Sequence, residues 1–540
     1  MVTRGHTSLA EPATDSVGLK TLEDLALDST FTRELPGDPD TTNKLRQVHG
    51  AFYSFVSPTP TGTEPSLVTY SPEVAAILGL DPAECSRPEF ALIFSGQAPA
   101  PGSAKSYAHC YGGHQFGSWA GQLGDGRAIS LGEVAGRDGP PYELQLKGAG
   151  KTPYSRMADG RAVMRSSLRE FVASEAMHHL GVPTTRALSL VSTGDQVLRD
   201  MFYNGNAKLE PGAVVCRVSR SFVRFGSFQL PASRGGMEVE LVRTLADFVI
   251  RHHYPHLEGR EDKYVAFLRE VTERTARLVA RWQTIGFVHG VLNTDNMSIL
   301  GETIDYGPYG FLERFNPNFT PNTTDLHGER YTYRNQPEVV QWNLAQFAGA
   351  LVAAKLMEKT VAEETLVAYA DTLEHEHVTR MANKFGLRTY DRDLSIAFLT
   401  NLYTDQADFT NSFRVLSAVS QSGDSDELPG PLAQALGELD AERTAAWQKW
   451  IGEYKAVLRA QGVEEGERRQ RQDSANPAYI PRNHVMQDII KQVEQGDYTE
   501  LHCFMDALKT PYIEQPGLDR FRVPAPVKIR FGVELLSCSS

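Results

Sequence analysis

The segment from residue 287 to 311, FVHGVLNTDNMSILGETIDYGPYGF, constrains the fold of this chain more than any other. Its short polar loop contains Asn293, Asp295 and Asn296, and Asp305 follows eight residues, MSILGETI, that we interpret as a strand. Two carboxylates and an amide oxygen can converge there, and hard oxygen ligands of this kind suit Mg²⁺. The alternative is that the Asp-Tyr-Gly sequence at 305–307 forms an ordinary turn.

A second cluster lies upstream and has the segment order of a protein kinase. It comprises a glycine-rich turn (Gly124, Gly126), strands over 128–134 and 142–146, Lys147 at the end of the second strand, and Glu170 on an amphipathic helix from about 161 to 180. Kinases use a glycine-rich turn, a strand Lys, a helical Glu, a metal-binding Asn and an Asp-x-Gly segment in this order. The order of the whole set therefore favours a nucleotide-binding fold.

Each part of this cluster has a structural alternative. The sequence Gly-Asp-Gly at 124–126 suits a hairpin turn that requires positive φ, and Lys147 can be an ordinary solvated lysine. In the functional interpretation, the turn approaches phosphates closely because glycine has no Cβ, and Arg127 lies beside it. Residues 148–150, Gly-Ala-Gly, would then leave space around the Lys147 ammonium.

A basic region occupies residues 147–225, with twelve Lys and Arg against six Asp and Glu in a chain whose formal net charge is -13. Such a local excess, without an obvious acidic counterpart, suggests a bound polyanion. Within it, CRVSRSFVRFGSF alternates like a strand, which puts Arg217, Ser219 and Ser221 on one face and Arg224 on the other unless a bulge intervenes. The alternative is an exposed basic edge strand.

Three stretches carry a resemblance to a known family: YGGHQFGSWAGQLGDGR, ELQLKGAGKTPYSRMADGRAVMRSSLREF and HGVLNTDNMSILGETIDYGPYGFL. They resemble the selenoprotein O family of protein adenylyltransferases, and the likeness extends from about His49 to the last residues. The resemblance implies an α+β, protein-kinase-like two-lobed fold with an N-terminal extension and a helical C-terminal region. It also implies that ATP binds in an orientation reversed from that in kinases, and that AMP is transferred to a Ser, Thr or Tyr hydroxyl of a target protein.

The resemblance also assigns roles to individual residues. Asp295 corresponds to the proton acceptor, while Asn296 and Asp305 correspond to ligands of Mg²⁺, with Mn²⁺ as the alternative metal. Lys147 corresponds to the phosphate-binding lysine and Glu170 to its helical partner. The remaining expected nucleotide contacts are Gly124, Gly126, Arg127, Asp159, Gly160, Arg217 and Arg224.

One departure from true kinases leaves two alternatives open. The kinase pattern H-R-D-L-x-x-x-N is replaced here by HGVLNTDN at 289–296, so no Asp follows the His at the usual base position. By kinase rules alone the chain would be inactive. The alternatives to an adenylyltransferase are therefore a kinase that transfers the γ-phosphoryl group and a catalytically silent pseudokinase that serves as a nucleotide-sensing scaffold.

The expected partners are ATP and target proteins, which include redox proteins, with no nucleic acid and no membrane. No run of about eighteen apolar residues exists, so no transmembrane helix is expected. The first twenty residues lack an apolar secretory segment. The compartment stays undecided, since the resemblance implies a mitochondrial protein if the source is eukaryotic and a cytoplasmic one if it is bacterial.

Five cysteines, Cys85, Cys110, Cys216, Cys503 and Cys538, are too few and too widely spaced for a disulfide framework or a metal site. Cys538 lies third from the end, and the resemblance makes it the counterpart of a selenocysteine or redox cysteine. In some relatives that residue pairs with a cysteine in the loop after the metal-binding Asp. Here Pro321 occupies the partner's place, so we expect no such disulfide.

The sequence suggests four parts: a polar lead-in over 1–48 with a short helix near 22–27, a segment over 49–106 that packs on the core, a kinase-like nucleotide-binding core over 107–350, and a helical region with a redox tail over 351–540. Helices are predicted over 342–359, 361–377, 391–403 and 431–461. The stretches SQSGDSDELPGP and EEGERRQRQDSANP are predicted to be linkers or exposed loops.

Overall fold

The computed structural model describes residues 18–137, 139–201, 204–422, 427–525 and 535–537. Strands occupy mainly the first part of the chain. They are β1 Tyr53–Phe55, β2 Ser66–Tyr70, β3 Tyr107–His109, β4 Gly112–Gln115, β5 Ser118–Gln122, β6 Ala128–Val134, β7 Tyr142–Lys147, β8 Ala162–Val163, β9 Arg186–Arg199, β10 Lys208–Ser219, β11 Phe287–Val288 and β12 Gly310–Phe311.

Helices fill most of the second part. They are α1 Thr30–Glu34, α2 Pro72–Leu78, α3 Pro88–Phe94, α4 Met164–His179, α5 Phe225–Arg234, α6 Glu240–His253, α7 Lys263–Ile285, α8 Gln336–Ala353, α9 Lys359–Leu366, α10 Ala368–Phe385, α11 Arg392–Asp405, α12 Phe409–Arg414, α13 Gly430–Leu436, α14 Ala441–Ala460, α15 Glu465–Ala475, α16 Asn483–Val493 and α17 Thr499–Lys509. A sheet lobe followed by a helical region confirms the expected α+β, kinase-like architecture.

The main sheet has the strand order β1-β3-β6-β7-β10-β9-β2, with β8 paired to β10, and its neighbouring strands are antiparallel. The strands predicted over 128–134 and 142–147 are β6 and β7. Their inward side chains, among them Ile129, Leu144 and Leu146, are completely buried in one apolar cluster. Lys147 therefore stands at the end of a central strand.

The predicted helix that carries Glu170 is α4, and it begins at Met164 because Ala162 and Val163 pair with β10 as β8. One side of α4 packs on β9 and β10, and the other contacts α16 and α17. Because both sides are covered, nearly all of its residues from Met164 to Met177 are buried. Glu170 thus lies inside the protein.

Two strand predictions near the site are wrong. Residues 297–304 form turns and isolated bridges, since Ile299 N donates to Val223 O and Thr303 bridges to Thr184. The alternation in CRVSRSFVRFGSF ends at Ser219, and the chain then turns into α5, whose N-cap is Arg224. This turn removes the expected separation of Arg217 and Arg224 onto opposite faces.

The C-terminal predictions need four corrections. The helix expected over 361–377 is divided at Val367 into α9 and α10, and α10 extends to Phe385. The helix expected over 342–359 is α8, which begins at Gln336 and ends at Ala353, and the helix expected over 431–461 is divided into α13 and α14 at Gly437. The charged run EEGERRQRQDSANP contains α15 instead of a loop. Arg468 and Gln472, four residues apart on α15, are completely buried, so this face is part of the core.

The chain before residue 49 is not wholly a polar lead-in. From residue 18 onward it includes a short 3-10 helix at Glu23–Leu25 and α1, and it buries Leu22, Leu25 and Phe31. Among the described residues, no helix combines the length and apolar character needed to cross a membrane.

Candidate active site

A cleft of about 810 Å³ lies where the sheet lobe meets the loops that follow α7. Its lining includes all but one of the predicted site residues: Gly124, Gly126, Arg127, Lys147, Asp159, Gly160, Arg217, Arg224, Asp295, Asn296 and Asp305. Glu170 lies directly behind Lys147. The structure therefore brings together residues that are spread over more than half of the kinase-like core.

Four charged side chains form a network at the back of the cleft. The Lys147 ammonium donates to Glu170, and it lies 3.4 Å from Asp305 Oδ1. Arg217 donates through Nε to Glu170 and through Nη2 to Asp305 Oδ1, the latter at 2.7 Å. Two cations thus share two carboxylates, which lets the buried charges compensate one another.

Strand register explains why Lys147 and Arg217 meet. On the paired strands β7 and β10, Lys147 is opposite Val215 and Gln145 is opposite Arg217. Residues two positions apart share a face, so Lys147 and Arg217 are diagonal neighbours. Gln145 also accepts a hydrogen bond from Arg217 Nη1 at 3.1 Å, which fixes the guanidinium over the cleft.

Asp305 has an unusual backbone and an electrostatically stabilised carboxylate. Its φ is 60°, a left-handed conformation that Asp adopts more readily than most residues other than glycine. Burial alone would raise the pKa of Asp305, but the cations of Lys147, Arg217 and Arg224 hold it well below its usual value. The carboxylate is therefore ionised at neutral pH, and its Oδ2 makes no hydrogen bond within the described part of the chain.

Asp295 lies in the short 3-10 turn Thr294–Asn296, under the β4–β5 hairpin. Gln115 Nε2 donates to Asp295 Oδ2 at 3.2 Å, while Oδ1 is buried and has no partner among the described residues. Burial raises the pKa of Asp295 to about 6, although the bond from Gln115 acts in the opposite direction. Arg224 Nη1 donates to the Asp295 backbone oxygen at 2.9 Å and so fixes the loop.

Asn296 and Asp305 offer a donor set that fits Mg²⁺. Asn296 Nδ2 donates to Val291 O at 3.0 Å, which orients the amide and leaves its oxygen available on the cleft side. The Asp305 side chain is 35% exposed toward the cleft. One carboxylate and one amide oxygen match the coordination preference of Mg²⁺, which takes few protein ligands and completes its coordination shell with water and phosphate oxygens.

The glycine turn is not a β-hairpin, because β5 pairs with β4 and β6 pairs with β3 and β7. It needs glycine for packing: a Cβ at Gly124 would lie 2.5 Å from the Tyr154 ring, and one at Gly126 would lie 3.0 Å from Tyr154 O. Asp125 anchors the turn by accepting hydrogen bonds from Tyr111 and Gln145. Its backbone is therefore held against the 152–160 loop at the edge of the cleft.

The glycines after Lys147 serve a different purpose from the one expected. A Cβ at Gly148 would lie 2.7 Å from Ala213 O, and one at Gly150 would lie 2.7 Å from Thr59. They permit close backbone packing, whereas the Lys147 ammonium is already paired with two carboxylates. The alternative of an ordinary solvated lysine is therefore wrong, and so is the expectation that these glycines leave space around the ammonium.

Most arginines of the basic region do have acidic partners, contrary to expectation. Arg165 pairs with Glu210, and Arg186 pairs with Glu175. Asp159, an expected nucleotide contact, is bonded to Arg199 at 2.7 Å. By contrast, three arginines that line the cleft, Arg127, Arg156 and Arg161, form no ion pair within the residues that the structure describes.

Two further residues at the site had no role predicted from the sequence. Gln115 contacts the Asp295 carboxylate, and the Tyr111 ring lies 4.5 Å from the Arg224 guanidinium. Both lie inside the quoted stretch YGGHQFGSW, yet only the folding of the β4–β5 hairpin back over the loop brings them to the site. No periodicity or spacing in the sequence signals that placement.

Cys538 lies outside the described residues, but the chain just before it docks beside the cleft. Leu536 N donates to Pro321 O at 2.8 Å and Thr323 N donates to Leu536 O at 2.7 Å. Cys85, Cys110 and Cys216 are buried and Cys503 is half-buried, all as free thiols. Burial raises the pKa of Cys85 and Cys110 to about 12, so both are poor nucleophiles.

We predict that oxidation forms no disulfide between Cys538 and the 306–332 loop, because that loop contains no cysteine. Peptide mapping with and without reductant should recover Cys538 free or joined to a thiol of another protein, and activity should be similar in both conditions. An internal Cys538 disulfide that stops activity on oxidation would contradict this prediction.

Comparison with known proteins shows the family to which the chain belongs. The family model described as "Protein adenylyltransferase SelO" matches residues 39–509. The "Protein nucleotidyltransferase YdiU" of Aromatoleum aromaticum is 47% identical over 533 residues, covering 96% of this chain and 100% of the relative. The proteins of the same name from Azoarcus sp. and Methylobacillus flagellatus are 49% and 47% identical, with 96% of this chain and 99% and 100% of the relatives covered. The resemblance noted in the sequence is thereby confirmed: the chain belongs to the SelO family and is a protein nucleotidyltransferase.

Proposed function

We propose that this enzyme transfers AMP from ATP to Ser, Thr or Tyr hydroxyls of target proteins in a Mg²⁺-dependent reaction. The observation that carries the proposal is the convergence of Lys147, Arg217 and Asp305 at one end of a cleft whose other wall holds Asp295. Phosphoryl-type transfer depends chiefly on positioning and on compensating charge, and this cleft supplies both.

In the proposed reaction, the acceptor hydroxyl oxygen attacks the α-phosphorus, the bond from that phosphorus to the bridging oxygen breaks, and pyrophosphate leaves. Asp295 orients the hydroxyl and accepts its proton. Lys147 and Arg217 hold phosphate oxygens, and Glu170 keeps both cations in place. Arg127, which lies beside the glycine turn and forms no ion pair with any described residue, and Arg224 contact the phosphates from the other side.

We propose Asn296 and Asp305 as the ligands of Mg²⁺, with Mn²⁺ as the alternative. When bound, the ion supplies positive charge that compensates the triphosphate and the developing charge on pyrophosphate. Gly124, Gly126, Asp159 and Gly160 are proposed as nucleotide contacts from the two loops at the cleft edge. The carboxylate of Asp159 would not repel phosphates strongly, because Arg199 neutralises it.

The proposed organisation retains a nucleotide-binding core over 107–350, preceded by a segment over 49–106 and followed by a helical region over 351–540. The segment before residue 49 joins the core through its buried leucines. Redox proteins remain the proposed class of targets for Cys538, and bacterial relatives favour a cytoplasmic site of action.

Product analysis tests the proposal directly. Incubation with ATP and acceptor proteins should yield one pyrophosphate for each AMP attached. Release of ADP with phosphorylated protein would indicate a kinase instead, and nucleotide binding without either product would indicate a silent scaffold.

The variant Lys147→Ala should lose about a hundredfold in AMP transfer and should also be less stable. Removing one partner of a buried ion pair costs about 3–5 kcal/mol, and the cost is smaller here because Arg217 still contacts both carboxylates. Transfer assays and thermal unfolding measure the two effects. Lys147→Arg is the matched control, since it retains the charge and therefore most of the stability. Unchanged transfer by Lys147→Ala would contradict the phosphate-binding role.

A further inference from the structure

A cationic and aromatic cluster lies beside Asp295, and the proposed reaction does not use it. We call it the acceptor-side cluster, and it consists of Phe116, Trp119, Arg330, Tyr331 and Trp342. Phe116 and Trp119 lie on the β4–β5 hairpin and are 39% and 38% exposed, so their rings are available for contact.

Arg330 packs against two aromatic rings and forms no ion pair with the residues that the structure describes. Its guanidinium carbon lies 4.9 Å from the Trp342 ring centre and 5.9 Å from that of Tyr331. Nε is buried without a hydrogen-bond partner, and no carboxylate oxygen among the described residues lies within 4.0 Å of the guanidinium. A planar cation with a fork of donors and no ion pair among the described residues is suited to bind a carboxylate.

The nearest candidate acid, Asp325, is already engaged. Its carboxylate accepts backbone N–H bonds from Arg330 at 3.1 Å and from Tyr331 at 2.7 Å, and a bond from Thr320 at 3.3 Å. These bonds hold the 325–331 turn in shape. Asp325 therefore positions Arg330 through the backbone, while no ion pair among the described residues engages the guanidinium.

Direct contacts connect Arg330 to the loop of Asp295. Arg330 packs on Gly117, where a Cβ would lie 3.2 Å from its guanidinium carbon. The Tyr331 hydroxyl donates to Asn293 Oδ1 at 2.6 Å and accepts from Phe116 N at 2.8 Å. Arg330 and Asp295 thus flank the same hairpin tip, and each has a buried polar atom that makes no hydrogen bond to a described residue.

We propose that Arg330 binds the carboxylate of an Asp or Glu close in sequence to the acceptor hydroxyl, so that the enzyme selects acidic segments of its target proteins. This inference rests on the proposed AMP transfer for the role of Asp295. The exposed rings of Phe116 and Trp119 provide apolar contact for the same segment. Charge complementarity favours this occupant, because the cluster presents a cation that forms no ion pair within the described part of the chain.

The test uses the full chain and two synthetic peptides that differ only in the residues flanking one Ser, Glu in the first and Gln in the second. Fluorescence anisotropy measures peptide binding, and KM and kcat for AMP transfer are measured in parallel. The wild-type protein should favour the Glu peptide about tenfold, in binding and in KM, with similar kcat. Arg330→Gln should lose this preference, and Arg330→Glu should favour a third peptide with flanking Lys.

Two further variants serve as controls. Arg330→Lys keeps the charge and should retain part of the preference, and Arg334→Gln, on the exposed surface four residues away, should behave like the wild type. Equal binding of the Glu and Gln peptides by the wild type, binding of neither, or an unchanged preference in Arg330→Gln would overturn the inference. Selective binding without AMP transfer would instead contradict the proposed function and leave the acidic preference intact.

Discussion

Replacing Asp305 with Asn should lower the rate of AMP transfer by about a thousandfold while the protein remains folded. The carboxylate is one of two proposed metal ligands, and it is the shared anion of Lys147 and Arg217. The neutral amide can neither compensate a divalent ion nor balance the two cations. Asn also tolerates the φ of 60° at this position, so the backbone should not change.

Steady-state transfer at increasing Mg²⁺ concentration measures this effect, and circular dichroism checks the fold. Asp247→Asn is a suitable control, because Asp247 is bonded to Lys263 at 2.7 Å far from the cleft lining and should be dispensable for transfer. Near-normal turnover of Asp305→Asn in saturating Mg²⁺ would contradict the metal-ligand role.

Asp295→Asn should slow the transfer step without weakening the binding of ATP. Loss of a positioned proton acceptor lowers kcat by about a hundred- to ten-thousandfold. Asp295 forms no ion pair with Lys147 or Arg217 within the described residues, so the affinity for ATP should stay close to that of the wild type. The contact with Gln115 can persist, because the Asn oxygen still accepts from Nε2.

Transfer kinetics and a nucleotide titration, made on the same preparation of Asp295→Asn, distinguish the two effects. A large loss of ATP affinity would place Asp295 among the phosphate or metal contacts rather than at the acceptor. Unchanged kcat would exclude it as the proton acceptor.

Local sequence patterns were sufficient to predict the elements whose structure depends on neighbouring residues. The alternation and turn residues around β6 and β7 place Lys147 at a strand end, as found. They could not show that the lysine is buried, because its pairing with Glu170 and Asp305 depends on contacts across 23 and 158 residues. The order of the sequence segments predicted a nucleotide-binding cleft, whereas the distances between its side chains depend on the folded structure.

Tertiary contacts overrode local patterns elsewhere. The apolar run over 297–304 looks like a strand but is held by contacts with residues 183–185 and 223–224, so no neighbouring strand is available to it. In α15, Glu465 pairs with Arg469 and Glu467 pairs with Arg471, and this four-residue spacing is typical of a helix. The high charge of the run nevertheless led to the prediction of a loop. Gln115 gave no signal, because its contact with Asp295 spans 180 residues.

The central claim is that AMP, and not the γ-phosphoryl group, passes to a protein hydroxyl in this cleft. Parallel incubations with ATP labelled at the α or the γ phosphorus test it most directly, with wild-type protein and Asp305→Asn side by side. We expect acceptor protein to be labelled only from α-labelled ATP, only by the wild type, and only with divalent metal. Label from the γ position, or equal α labelling by Asp305→Asn, would contradict the claim.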